Sequence, residues 1–251
     1  MDINNEYGCL ERQKECLELL KAFDDFCLQK NIIYSLDSGS LLGAIRHRGF
    51  IPWDDDIDII VDRSTYQRLF DELNSSDKFC CFTELWFTRI QFVSEVNRSY
   101  SQAATIDVFV LDKAPNNYLC RKIKRLYIAL LQSMFKERPQ SFSLNLSWFR
   151  LWVGNQIGRH WSYEAKLKLY NKVSGNCNNS NSKFASCYNY LYKDLHAIYD
   201  YNILQHIHRC RFEDIEVNII DGFDKFLTEL YGDYMTPPKK CDRIPQHSKK
   251  S

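Results

Sequence analysis

From Leu10 to Gln29 apolar residues recur at helical spacing: Leu10, Leu17, Leu20, Phe23 and Cys27, with Glu11, Lys14, Lys21 and Asp25 between them. The pattern predicts an amphipathic helix that packs on whatever follows. Ile32–Leu36 is β-branched and aromatic and reads as a short strand. Asp37, Ser38, Gly39 and Ser40 supply turn and N-cap chemistry for a short helix beginning at Leu41, which Gly49 and Pro52 close. Asp56 to Val61 alternates acid and aliphatic, a strand by period and composition. Ser64–Leu73 is helical again, capped by Ser64 or Thr65, and strands are predicted at 79–83, 86–92 and 105–111.

The character changes from Ala114 to Lys172, where eleven Lys and Arg meet only two acids, Glu137 and Glu164, among many aromatic residues. Leu119, Ile123, Leu126, Tyr127, Leu130 and Leu131 share one helical stripe, and Trp148–Trp152 lies in a second helical stretch. The plain reading is a helical subdomain with that stripe as core and a solvated basic face. The functional one is a basic, aromatic surface for anionic lipid or another polyanion. The polar loop 175–182 is the best internal boundary. The organisation is therefore a core at 1–113, a basic helical segment at 114–174 and a C-terminal part, 175–251, that completes the core.

Thirty-three Lys and Arg against thirty-two Asp and Glu leave a net charge of +1, which argues against nucleic acid as a partner. Uninterrupted apolar runs such as 126–131 fall far short of the ~18 residues a membrane span needs. The first six residues lack the basic start and apolar core of a secretory signal, so the expected location is cytoplasmic, with peripheral contact at the inner face of the membrane. The ten cysteines are scattered and contain no C-x-x-C pair. They read as reduced thiols buried as small hydrophobes. His206, His208 and Cys210 are the best zinc candidates, although their alternating spacing suits a strand with a partly buried His/Cys cluster better than a zinc knuckle.

Chemistry concentrates at 53–60. On a strand Asp54, Asp56 and Asp58 would project to one face, roughly 7 Å apart at each step. Like carboxylates so placed repel, and a divalent cation relieves the repulsion; few oxygen ligands with room for water and phosphate suit Mg²⁺. A calcium loop fails on Ile59, where Gly is required, and on Thr65, where Glu is required. Gly39 and Ser40, at the start of a helix, offer backbone N–H groups and a hydroxyl to a phosphate. Asp107, on a later apolar strand, can add a third carboxylate or accept a proton from an attacking hydroxyl.

The string from Leu36 through Asp58, containing Gly39-Ser40, Arg46-His47-Arg48 and Trp53-Asp54-Asp55-Asp56-Ile57-Asp58, resembles the LicD family of phosphocholine transferases, relatives of the fukutin group. Ile106–Asp112, Phe212-Glu213, Gly222-Phe223-Asp224 and the tail Tyr231–Pro238 followed by Arg243 and His247 resemble it too. The chain departs from the family at Val110, where Pro is frequent, and in having His247 where a His pair is usual.

The resemblance implies an α+β fold: a nucleotidyltransferase-like mixed sheet flanked by helices, with a helical insertion. It implies transfer of a phosphorylated group, phosphocholine or a phosphoalditol, from a CDP-activated donor to a hydroxyl of a glycan or lipid-linked glycan, with CMP leaving. Asp56, Asp58 and Asp107 are then the catalytic and metal-binding set for Mg²⁺ or Mn²⁺, with Asp54 and Asp55 supporting them. Gly39, Ser40, Arg46, His47, Arg243 and His247 are the substrate-binding candidates. Two alternatives stand beside this one: transfer of a nucleoside monophosphate from a nucleoside triphosphate to a small molecule, and a non-catalytic binding protein of the same fold.

Overall fold

The computed structural model describes residues 6–98, 103–137 and 146–245. The chain forms two compact units, one made of Met1–Phe82, Thr88–Phe109 and Asn202–Ser251, the other of Thr83–Phe87 and Val110–Tyr201. Helices and a mixed sheet give the α+β class. The polar loop 175–182 lies inside the second unit, which continues to Tyr201.

In the first unit, helix α1 (Leu10–Lys30) buries Cys16, Leu19, Leu20, Phe23 and Cys27, a stripe turned from the one the sequence suggested, with Leu10 and Leu17 only half-buried. The turn has a polar cause. Arg12 and Asp24 are also buried on α1, and Asp24 accepts from the Tyr34 hydroxyl at 2.6 Å and pairs with Arg209 at 2.6 Å. Strand β1 is only Ser35–Leu36. Helix α2 (Ser38–His47) starts earlier than expected: Asp37 is its N-cap, its carboxylate accepting from the Ser38 N–H at 2.8 Å, so Gly39 and Ser40 fall in its first turn. Its end is set by Arg48 in the left-handed region (φ 58°), ahead of Gly49.

Strand β2 (Ile57–Asp62) pairs antiparallel with β1, Leu36 opposite Ile59. Ile60 is as buried as Ile57, Ile59 and Val61, so this strand is covered on both faces rather than on one. Asp62, not Ser64 or Thr65, caps helix α3 (Arg63–Asn74), accepting from the Thr65 N–H at 2.7 Å. Strands β3 (Phe79–Glu84), β4 (Phe87–Phe92) and β5 (Ile106–Lys113) match the expected positions. The sheet order β1-β2-β5-β4-β3 makes β2 and β5 neighbours although more than forty residues separate them in sequence. That crossover brings the two acid-bearing strands together.

The second unit holds helices α4 (Tyr118–Phe135), α5 (Leu146–Gly158) and α6 (Tyr163–Ser174), with strands β6 (Phe184–Cys187) and β7 (Tyr199–Asp200). The end of β5 pairs with β6, Leu111 opposite Cys187. Gly154 and Gly158 let α5 lie close on α4, since a β-carbon at either would meet Ser133 or Met134. The stripe expected as core is only partly so. Leu131 is buried, with Ile128 and Ala129, but Leu119, Ile123, Leu126 and Tyr127 are exposed. Buried Lys124 explains the rotation: its ammonium donates to the Ser174 carbonyl and the Asn176 side chain, both at 2.8 Å, and lies 4.1 Å from the centre of the Tyr188 ring. Among the described residues no helix is long and apolar enough to cross a membrane.

In the remainder of the first unit, strands β8 (Ile207–Phe212) and β9 (Ile215–Ile220) form a hairpin, followed by helix α7 (Phe223–Tyr231). The Ile220 N–H donates to the Ser35 hydroxyl at 3.1 Å, holding the hairpin on the short strand β1.

Candidate active site

The acidic segment enters β2 from a turn. The Asp54 N–H donates to the Ile51 carbonyl at 2.9 Å, and the strand begins only at Ile57. Strand alternation therefore does not place Asp54 and Asp56. They are placed by α1, where Gln13 Nε2 donates to the carbonyls of Asp54 (2.7 Å) and Ile51 (3.1 Å), and Arg12 Nε donates to the carbonyl of Asp55 (3.2 Å). Cys16 lies against the same carbonyl, and burial pushes its thiol up to about 12.

The carboxylates converge nonetheless. Packing, and then the charges of Asp56, Asp107, Asp37 and Asp54 in turn, push the Asp58 carboxyl well above the usual carboxylate range. Packing, followed by the charge of Asp56 and a hydrogen bond to it, does the same to Asp54. Burial disfavours the ionised form first, and the neighbouring carboxylates add to it. Asp37, read from sequence only as a cap, is a fully buried member of this group. Its N–H donates to the Asp58 carbonyl at 2.9 Å, which ties the start of α2 to the start of β2.

Asp107 joins the cluster from β5, but it carries its own partner. Arg89 stands opposite it on β4, with Nε 3.0 Å from Asp107 Oδ1, and both side chains are buried. Nothing in the sequence singled out Arg89; its only signal is the strand register. Among the described residues no group of three or more His, Cys, Asp or Glu stands ready to hold a metal ion.

Gly39 and Ser40 serve the acids directly. A β-carbon at Gly39 would fall inside contact distance of Asp54 Oδ2, so glycine here makes room for that carboxylate beside the first turn of α2. A carboxylate is favoured at that position by the helix dipole. The Ser40 hydroxyl accepts from the Asp58 N–H at 2.9 Å, and so fixes the strand start.

A basic cluster lies in the same unit. Arg46 Nη1 donates to the Tyr234 carbonyl at 2.6 Å, while its buried Nε has no partner among the described residues; burial, and then the charge of Arg243, bring its guanidinium below its ordinary value. Buried His47 Nδ1 likewise has no partner among the described residues, and burial followed by the Arg46 charge keeps this imidazole below its usual range. The Arg243 guanidinium lies 4.8 Å from the centre of the Trp53 ring, which also meets His47 edge-on. The tail thus folds back onto the segment that carries the acids. Arg48 is exposed at the helix end. His247 lies outside the described residues.

The hairpin tip holds the same region in place. Glu213 accepts from the Phe50 N–H at 3.0 Å and donates its own N–H to the Arg48 carbonyl at 2.7 Å. Of the zinc candidates, His208 Nδ1 lies 2.6 Å from Asp221 Oδ1 and the Cys210 thiol lies against the Arg211 carbonyl. His208 and Cys210 thus have partners in or just past the hairpin.

Residues 31–149 match the model of the LicD/FKTN/FKRP nucleotidyltransferase domain. Over 263 aligned positions the chain is 27% identical to the lipopolysaccharide cholinephosphotransferase LicD of Haemophilus influenzae, with 94% of this chain and 95% of that protein covered. It is 31% identical over 108 residues to an uncharacterized protein of Rickettsia prowazekii, covering 42% of this chain and 36% of that one. The matched domain spans the α2 turn, all five clustered aspartates and Arg89, the parts that the geometry above draws together. Residues 31–149 are thus similar to the LicD nucleotidyltransferase domain, and similarity to a LicD protein extends over nearly the whole chain.

Proposed function

We infer that the protein is a transferase that moves a phosphorylated group, phosphocholine or a phosphoalditol, from a CDP-activated donor to a hydroxyl of a cell-surface glycan, releasing CMP. The observation that carries this reading is the crowding of Asp37, Asp54, Asp56, Asp58 and Asp107 in the same unit as buried basic nitrogens of Arg46 and His47 that have no partner among the described residues. The similarity to a lipopolysaccharide cholinephosphotransferase supports the reaction class.

Two carboxylates with water and phosphate completing the shell suit Mg²⁺ or Mn²⁺, and a cation there would favour the ionised forms of the raised Asp54 and Asp58 carboxyls. Asp56 and Asp58 would hold the ion. An ion held there would supply positive charge to neutralise the diphosphate and the leaving CMP. A carboxylate paired with a guanidinium is a poor proton acceptor, so Asp107 serves better as a fixed neighbour of the ion than as a base. Asp54, hydrogen-bonded to Asp56, is the better-placed group to carry the proton of the acceptor hydroxyl. Arg46, His47 and Arg243 bind phosphate oxygens.

The test is a donor screen with the full chain and Mg²⁺: CDP-choline, CDP-ribitol and CDP-glycerol against CTP and ATP, with Asp58→Asn as control. CMP from a CDP donor, absent in the variant, supports the reading. Pyrophosphate from a triphosphate would replace it with nucleotidyl transfer, and neither product from any donor would leave a binding protein of this fold.

A further inference from the structure

Helix α4 presents an apolar face that the second unit does not cover. Tyr118 and Leu119 are each 62% exposed, Ile123 58% and Leu126 56%, on successive turns of one helix. Four large apolar side chains this exposed on one face form a patch, and contiguous patches mark interaction surfaces. Neighbouring α5 exposes Phe149 and Ile157 as well.

The charge around this face identifies its partner. Lys122 lies within it and Arg125 beside it; neither pairs with a carboxylate among the described residues. Instead the Lys122 ammonium sits 4.5 Å from the centre of the Tyr118 ring, and the Arg125 guanidinium 5.3 Å from that of Tyr192. The surrounding segment 114–172 has eleven Lys and Arg against two acids. Two copies of this chain meeting through the face would bring like charges together, which opposes self-association. A surface of negative charge over hydrocarbon answers both features at once: it neutralises the cations and takes up the aliphatic side chains, with the tyrosine at its polar boundary. Since no described helix can span a bilayer, the contact is with its surface.

We propose that the exposed face of α4 docks the protein onto an anionic lipid surface. The proposal stands apart from the reaction read above, because it rests on residues outside the acidic and basic clusters.

The experiment is co-sedimentation of the full chain with vesicles of phosphatidylglycerol and phosphatidylcholine in equal parts, at low and at high salt, with phosphatidylcholine vesicles alone as a second arm. Binding to the anionic vesicles is expected at low salt and falls steeply as salt rises. Two variants separate the contributions: Leu119→Ser/Ile123→Ser/Leu126→Ser removes the apolar part, and Lys122→Gln/Arg125→Gln removes charge. Each should weaken binding about tenfold or more while melting like the parent. No binding to anionic vesicles at low salt overturns the proposal, as does binding that neither variant alters. Concentration-dependent self-association in sedimentation, abolished by the triple serine variant, also overturns it and gives the face to a second copy. CMP release is measured separately on the same preparations, so loss of the docking proposal is distinguishable from loss of the enzymatic one.

Discussion

The pair between Arg89 and Asp107 sets a measurable stake on how the acidic site is held. Arg89 Nε lies 3.0 Å from Asp107 Oδ1, with the two side chains 10% and 11% exposed. At an effective dielectric of about 20, unit charges about 4 Å apart attract by about 4 kcal/mol. Removing one partner of a buried pair costs about 3–5 kcal/mol, because the remaining charge has already lost its water. Arg89→Met keeps the length of the stem and deletes the charge. For a chain of this size each kcal/mol moves the melting midpoint by about 2–4 °C, so the variant should melt roughly 6–20 °C below the parent. Adding Asp107→Asn removes the stranded charge and should recover roughly half the loss or more, a coupling expected of side chains in direct contact. Circular dichroism melts at neutral pH, with and without Mg²⁺, give all four corners of the cycle. A single variant melting within about 2 °C of the parent, or a double variant no better than the single, would refute the reasoning.

Three further outcomes are expected. A raised carboxyl such as that of Asp58 favours the fold below the ordinary carboxylate range and loses that contribution as pH rises through its elevated value. Asp58→Asn should therefore gain on the parent in metal-free melts as pH climbs from acid to neutral; a gap that does not move with pH contradicts this. Mg²⁺ should raise the parent's melting midpoint and release protons on binding, seen as buffer-dependent heat in titration calorimetry, and a chelator or Asp56→Asn/Asp58→Asn should abolish both. Heat independent of buffer would show that the carboxyls are already ionised. Gly43→Ala places a methyl inside contact distance of the Gly49 carbonyl oxygen, backbone against backbone, and should cost about 1–3 kcal/mol in urea melts; a neutral result would mean the loop yields freely.

Much of the frame was legible because period and composition agreed. The Ile-rich alternation after Asp56 could only be a strand, although the residues that bound the helices on either side, Arg48 and Asp62, were not those expected. What escaped was set by distant partners. Arg12 and Gln13 look like ordinary polar positions of an amphipathic helix until their carbonyl acceptors at Ile51, Asp54 and Asp55 are seen. Arg89 gains meaning only from lying opposite Asp107 across two strands. Asp37 could be read as a cap because caps are local, whereas its nearness to Asp58 depends on how β1 and β2 pair. On α4 the apolar stripe was real, but buried Lys124 shows that hydrophobic spacing alone does not say which side of a helix faces inward.

The hold of α1 on the acidic turn is made through peptide oxygens, and those are present whatever side chains the turn carries. Position in this stretch is thereby decoupled from identity: the main chain keeps its path while the groups it displays can be exchanged. The protein consequently offers a rigid mount on which a different set of ligands, imidazole in place of carboxylate for instance, could be installed without rebuilding the scaffold beneath it.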